Sequence, residues 1–374
     1  MKTDSLHIDR RQSLRLLGGG IILAASGLPS LARSAGSSAL APWRDAGLAE
    51  EPRRKALSYA ILAPNPHNRQ PWLIDLRQPD QVIVYRDEAR DLPETDPYAR
   101  QLTIGLGCFL ELMRIAAAQD GLAIDMELFP EGEEGPVAIA QLRPGATPDP
   151  LFAAVLERRS VKAPYSAEPI PAAAKAVLSG YARILDAPEE VAALKQITLD
   201  AWNAEIDNPV TWQESLELMR FGKSEIEANP DGIDLGGPDL EALIADGLLT
   251  RETLADPQHP TFLQSKQLYH RMLTETPAYA AIITPGNSRI QQIRAGRAWL
   301  RFNLAVTALG LACQPVSQAL QEFEAVRPHY LRIHRMLAKP GDRVQMLGRL
   351  GFGPKIAQSP RWPLDTRLMT ARSN

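Results

Sequence analysis

Apolar positions recur along this chain in two rhythms. Over Arg53–Ala63, RRKALSYAILA spaces its apolar residues as a helix does, and Pro64 and Pro66 then withhold the donors a helix would need. After the loop PNPHNRQP, the runs WLIDL and QVIVYR read as strands. DLPETDPYAR is a polar loop, and LTIGLGCFLELMRIAAAQDG is a helix apolar on most of its faces, which places it at the centre of a core. LAIDMELF is a strand, and Gly132–Pro150, rich in glycine and proline, reads as a linker. The second half brings the strand AYAAIIT, a second long helix in IRAGRAWLRFNLAVTALGLACQPV, and the apolar run VQMLGRLGFG.

The two long helices match. Gly107 and Gly121 flank one and Gly296 and Gly310 flank the other, both at a spacing of 14, with the second pair 189 residues after the first and Ala116 opposite Ala305 and Leu122 opposite Leu311 at the same offset. The pattern predicts an α+β fold of two related halves. Residues 40–150 form the first and 151–374 the second. Short amphipathic pieces and turn signals at about 201–264 read as an insertion in the second half.

Composition narrows the function. At 374 residues and 45% hydrophobic, the chain can build a sizeable core, and a formal charge of -3 offers no general attraction for nucleic acid or anionic membranes. The N-terminus changes the picture further. DRRQSL, followed by LLGGGIILAASGLPSLA, has the paired arginines and short apolar run of a twin-arginine export signal, which predicts passage through the twin-arginine translocase to the periplasm. The run is short and glycine-rich for a membrane anchor. Small residues suited to cleavage lie at Ser30 and Ala32, or at Ser37 and Ala39. Residues 1–39 are therefore expected to be signal and mobile linker, with chain up to about Pro42 loose. Cys108 and Cys313 both fall in apolar stretches and read as free thiols.

Two stretches carry candidate chemistry. In LERRSVKAPYSAEPIP, Arg158, Arg159, Ser160 and Lys162 concentrate cationic and hydroxyl donors suited to phosphate oxygens, although a solvated basic turn would read the same. In APNPHNRQPW, Asn65, Asn68 and Gln70 offer donors and acceptors along a proline-stiffened loop; this suits the polar edge of a heterocycle, or merely a turn. His67 reads as a loop residue. Metal motifs, G-x-S-x-G and G-x-G-x-x-G are all absent from the sequence.

Together these stretches resemble the flavin-dependent nitroreductase family. ERRSVKAPYSAEPIP is similar to its RRSxR motif and APNPHNRQPW to its APSxxNxQPW loop. TALGLACQPVS is similar to its helix-to-loop segment, and LGFGPKIAQSPRWPLD to its C-terminal glycine and arginine-proline pattern. With DPYAR at Asp96–Arg100, the layout resembles the duplicated Acg-type branch, in which one chain mimics the family's dimer. Asn65 stands where the family has serine, and Lys162 where it often has arginine.

The resemblance implies a nitroreductase-like pseudo-dimer, monomeric as a chain, binding FMN. The second half would supply Arg158, Arg159, Ser160, Lys162, Pro315, Val316, Ser317 and Arg361; the first would supply Asn65, Asn68 and Gln70, with Asn68 and Gln70 facing the polar edge of the ring. The mirror site would be broken, since PRRK at Pro52–Lys55 replaces the RRS motif, so one FMN per chain is expected. The resemblance further implies electron transfer from a small-molecule donor to a nitroaromatic, quinone or similar acceptor, with no catalytic side chain identified. A flavin-storage protein closed by a lid is the alternative, and a periplasmic dehydrogenase fed by another carrier is a third reading.

Overall fold

A computed structural model describes residues 37–370; the paired arginines and the apolar run of the proposed export signal lie outside them. The structure is α+β. Helix α1 (Pro52–Ala60) starts where Glu51 accepts from the amides of Arg53 and Arg54, and it ends ahead of Pro64. Strands β1 (Trp72–Asp75) and β2 (Gln81–Arg86) form a hairpin. The long helix α2 (Arg100–Ala118) follows, then β3 (Leu122–Leu128) and β4 (Ala138–Pro144), and the four strands align antiparallel in the order β1-β2-β4-β3.

Strand β4 corrects the linker expected over Gly132–Pro150. Within it Ala138 and Ala140 face the core while Gln141 and Arg143 point outward, a two-residue alternation whose inward positions are alanine. The expected looseness up to Pro42 is also corrected. Ser38–Leu40 and Ala41–Arg44 are short helical turns, and Ala39 and Trp43 are buried.

The second sheet has the same plan. Helix α3 (Ala172–Leu178) leads to β5 (Arg183–Leu185); β8 (Ala278–Pro285), a long helix (Arg289–Ala308), β9 (Ala312–Pro315) and β10 (Asp342–Gly351) complete an antiparallel sheet ordered β5-β8-β10-β9. Between β5 and β8 run the helices α4 (Pro188–Ile206), α5 (Pro209–Leu218), α6 (Gly222–Ala228), α7 (Pro238–Ala245), α8 (Arg251–Ala255) and α9 (Pro260–Thr274). With them is a parallel pair, β6 (Met219–Phe221) and β7 (Ile233–Leu235). Leu216, Phe221, Leu240, Leu243, Leu249 and Leu254 give this segment an apolar cluster of its own. The long helix Arg289–Ala308 is α10, and α11 (Arg327–Leu337) precedes β10.

Helices α2 and α10 cross at glycine. A Cβ on Gly107 would lie 2.3 Å from the Ile293 carbonyl oxygen, and one on Gly296 would lie 2.0 Å from that of Ile104. Both contacts join residues that stand 189 apart from their counterparts, Ile104 to Ile293 and Gly107 to Gly296. Glu111, buried on α2, accepts from Arg297 and Arg301 of α10 and ties the same crossing. Helix α2 is long and apolar enough to span a membrane, but 89% of its apolar window is buried in the protein, as befits a core helix.

The helical segment is latched to the first half by Asp231, which is 5% exposed and bridges Arg90 at 2.8 Å, Arg220 at 2.7 Å and Arg69 at 3.7 Å. Despite burial, the three guanidiniums hold its carboxyl below the usual range. Asp231→Asn would leave the three cations facing one another. A loss of about 2–4 kcal/mol in urea unfolding is expected, with faster proteolytic cleavage between 208 and 260; unchanged unfolding and cleavage would show that the latch does not hold the segment.

Candidate functional site

Where the two halves and the helical segment meet, they enclose a cavity of about 250 Å³. Its walls begin with the loop after α1. His67, Asn68 and Gln70 have φ of 46°, 51° and 52°, left-handed values on either side of a right-handed Arg69 that cost non-glycine residues energy. The loop is held there by Asn65, whose Oδ1 accepts from the Gln70 amide at 2.7 Å and whose Nδ2 donates to the Ala63 carbonyl. It packs against α2 at Gly105, where a Cβ would lie 3.0 Å from Asn65 Cβ.

The basic stretch forms the facing wall. Val161 donates its amide to the Cys313 carbonyl of β9, and the fully buried Arg349 of β10 donates to the Ala163 carbonyl at 3.0 Å while stacking on Tyr165. This leaves Arg158, Arg159, Ser160 and Lys162 lining the cavity. Arg361 arrives from the C-terminal segment, donating to the carbonyls of Ile61 and Leu62 and to Asn68 Oδ1. Trp43 lies under both Arg159, at 4.8 Å, and Arg361, at 5.5 Å, and donates its indole N–H to the Ser359 carbonyl.

Among the described residues, no ion pair joins Arg158, Arg159, Lys162 or Arg361 to a carboxylate within 4 Å, and the buried Nε of Arg159 has no hydrogen-bond partner. Burial and mutual repulsion lower Arg361 to about 9 and Arg159 to about 10. Burial also lowers Arg158 and Lys162, with Asp234 the acidic neighbour of Lys162. Burial, aided by Lys162 and Arg69, drops His67 to about 4, so its ring is neutral at pH 7. This part of the cavity is built for an anion.

Nine of the eleven residues expected from the sequence line this cavity: Asn65, Asn68, Arg158, Arg159, Ser160, Lys162, Pro315, Ser317 and Arg361. Gln70 and Val316 do not. Gln70 is fully buried, donating to the Pro230 carbonyl and accepting from the Trp362 amide, so it clamps the loop to the helical segment and the C-terminus. Val316 is buried in the second sheet's core and donates its amide to the Leu347 carbonyl. The Asn68 amide is likewise turned to protein, donating to the Pro360 carbonyl. In the first half, Arg53 of PRRK donates to the Leu76, Gln78 and Gln81 carbonyls and does not line this cavity.

The stretch expected as an insertion also reaches the cavity: Trp202 and Glu205 of α4 and Trp212 of α5 line another part of it, together with Tyr269 of α9, although none of these four stood among the residues expected at the site. Trp202 and Tyr269 stack with centroids 4.5 Å apart. Burial, with Glu214 adding repulsion, pushes the Glu205 carboxyl up to about 7. The folded protein thus holds a proton that the unfolded chain, titrating near 4.5, releases. Stability falls as pH rises from 4.5 to 7, by up to roughly 3 kcal/mol, and stays lowered above. Glu205→Gln is expected to melt higher than the wild type at pH 8, with the gap closing toward pH 5; a gap independent of pH would contradict this.

Cys108 and Cys313 are free and buried, donating to the Gly296 carbonyl and to Asn303 Oδ1, and burial raises both thiols to about 12. Among the described residues, no group of three His, Cys, Asp or Glu could hold a metal ion.

No family model matches the chain. It is 26% identical over 327 residues, 85% of its length and 89% of the relative's, to Rv3131 of Mycobacterium tuberculosis H37Rv, named as a candidate NAD(P)H nitroreductase. Over a shorter stretch of 89 residues, 24% of this chain and 26% of the relative, it is 32% identical to the candidate NAD(P)H nitroreductase acg of the same organism. Among solved structures it is similar to the FMN-dependent nitroreductase NfnB of Mycobacterium smegmatis in complex with NADPH, at 16% identity and a TM-score of 0.35 over 57% of this chain and 95% of that one. Over most of its length, then, the chain is similar to a protein named as a nitroreductase.

Proposed function

We propose that this chain is a nitroreductase-like oxidoreductase that binds one FMN in the cavity between its halves. The observation that carries the reading is the group of four cations, three arginines and a lysine, that faces one cavity with the Ser160 hydroxyl, the Arg159 Nε having no hydrogen-bond partner among the described residues. A phosphate monoester would satisfy these donors, and charge-assisted bonds to it are the strong kind. Arg158, Arg159, Ser160, Lys162 and Arg361 would hold it, and the loops Pro64–Asn68 and Pro315–Ser317 would flank the remainder. When bound, FMN supplies the electron chemistry, accepting reducing equivalents from a donor and passing them to a nitroaromatic, quinone or similar acceptor. The protein's part is to bind, orient and exclude water. Relatives named as nitroreductases support the same reading.

Two related halves, acting as a pseudo-dimer, are supported by the shared strand order and by the reciprocal contacts at the glycine crossing. Carriage of the folded protein to the periplasm, as a monomer, is the companion proposal from the paired arginines and apolar run. The Asp231 latch favours a second reading, a flavin store closed by the helical segment. Anaerobic titration of the purified flavoprotein separates them. Bleaching of the flavin band by NADPH is expected for the reductase; bleaching by dithionite alone would favour storage or another donor.

A further inference from the structure

The cavity is lined by two chemically different groups of residues. Trp43, Arg158, Arg159 and Arg361 make up one, and Trp202, Glu205, Trp212 and Tyr269 the other. Glu205 is 7% exposed; Gln321 and Gln318 hydrogen-bond its carboxyl, Glu214 and Tyr269 are its other polar neighbours, none of the four is cationic, and its Oε2 has no hydrogen-bond partner among the described residues. A buried carboxyl left with an unmet acceptor costs free energy unless a ligand meets it. The indole N–H of Trp212 is already spent on the Leu254 carbonyl and the Tyr269 hydroxyl accepts from Gln314, so the rings offer mainly their apolar surfaces.

We propose that this second group forms a specificity pocket for a planar aromatic molecule bearing a phenolic O–H or aryl N–H, with Glu205 as the group that accepts from that donor and turns away aromatic anions. The proposal rests on the reading that the cationic group holds the flavin phosphate, which leaves the aromatic group for the second reactant. Stacked rings favour flat ligands, and an acceptor buried among them rejects a ligand lacking the matching donor more strongly than apolar contacts can.

Equilibrium dialysis at pH 8.5, where the Glu205 carboxyl is ionised, with 2-naphthol, naphthalene and 2-naphthoate tests this without turnover, on the purified protein with its flavin content read from the same samples. The wild type is expected to bind 2-naphthol at least tenfold more tightly than naphthalene and 2-naphthoate least. Glu205→Leu should lose the preference for naphthol over naphthalene, and Glu205→Gln, which keeps an acceptor without a charge, should keep that preference but admit 2-naphthoate. Circular dichroism melts check that both variants fold. An order of affinities untouched by either substitution, or 2-naphthoate binding the wild type as tightly as 2-naphthol, would overturn the proposal even where one flavin per chain is present. Absence of flavin with the Glu205-dependent order intact would sink the flavin reading and leave the pocket standing.

Discussion

Replacing Arg158 with methionine is expected to raise the melting temperature of the flavin-free protein by a few degrees and to weaken FMN binding about ten- to hundredfold. The opposite signs come from one fact. Arg158 is 4% exposed, its side chain donates only to the Leu62 carbonyl, at 3.2 Å, among the described residues, and Arg159 and Arg361 repel it. Without an anion, that buried charge is a cost, and methionine fills similar volume without it. The Leu62 carbonyl keeps Arg361 as a donor. With phosphate bound, the same guanidinium contributes a charge-assisted bond of about 1.5–3 kcal/mol, which sets the loss in affinity. Thermal melts of the flavin-free variant and a fluorescence titration with FMN measure both. A variant that loses stability while keeping its affinity would show that Arg158 serves the fold and not the site.

The largest expected effect on folding comes from Gly296→Ala. One methyl group there would stand 2.0 Å from the Ile104 carbonyl oxygen and 2.9 Å from the Gly107 Cα, and backbone on both sides leaves it no room. Helices α2 and α10 must part, opening the core that both sheets share and loosening Glu111 from Arg297 and Arg301. A loss of at least about 3 kcal/mol, or of soluble protein, is expected. Gly121→Ala is the contrast. Its φ of 73° makes alanine strained, but nothing lies within 4 Å, so about 1–2 kcal/mol is expected from backbone strain alone. Equal effects at the two positions would mean that the helices do not meet at glycine.

Much of this architecture was legible because long, strongly patterned segments declare themselves. Both central helices, four of the longer strands and the stop before Pro64 follow from spacing and proline. Strand β4 hid because alanine carries its inward positions between glycine-rich flanks, so its alternation was faint. The basic stretch and the loop before Trp72 were legible as chemistry, since their residue types are concentrated in a few positions. Which members face the cavity was not. Gln70 sits in the same loop as Asn68 yet is drawn inward by the Pro230 carbonyl and the Trp362 amide, a choice made by segments 160 and 292 residues away. Trp43 comes to Arg159 and Arg361 by tertiary packing alone. Glu205, Trp202 and Tyr269 look like ordinary helical residues until α4 and α9 are folded together, so no local pattern could have singled them out.

The measurement that bears most directly on the central claim is the binding stoichiometry of FMN, by calorimetric titration of protein freed of its flavin. One FMN per chain is predicted, with binding abolished or severely weakened when Arg158, Arg159 and Lys162 are replaced together. No binding at all, or two equivalent FMN sites per chain, would contradict the single site argued for here.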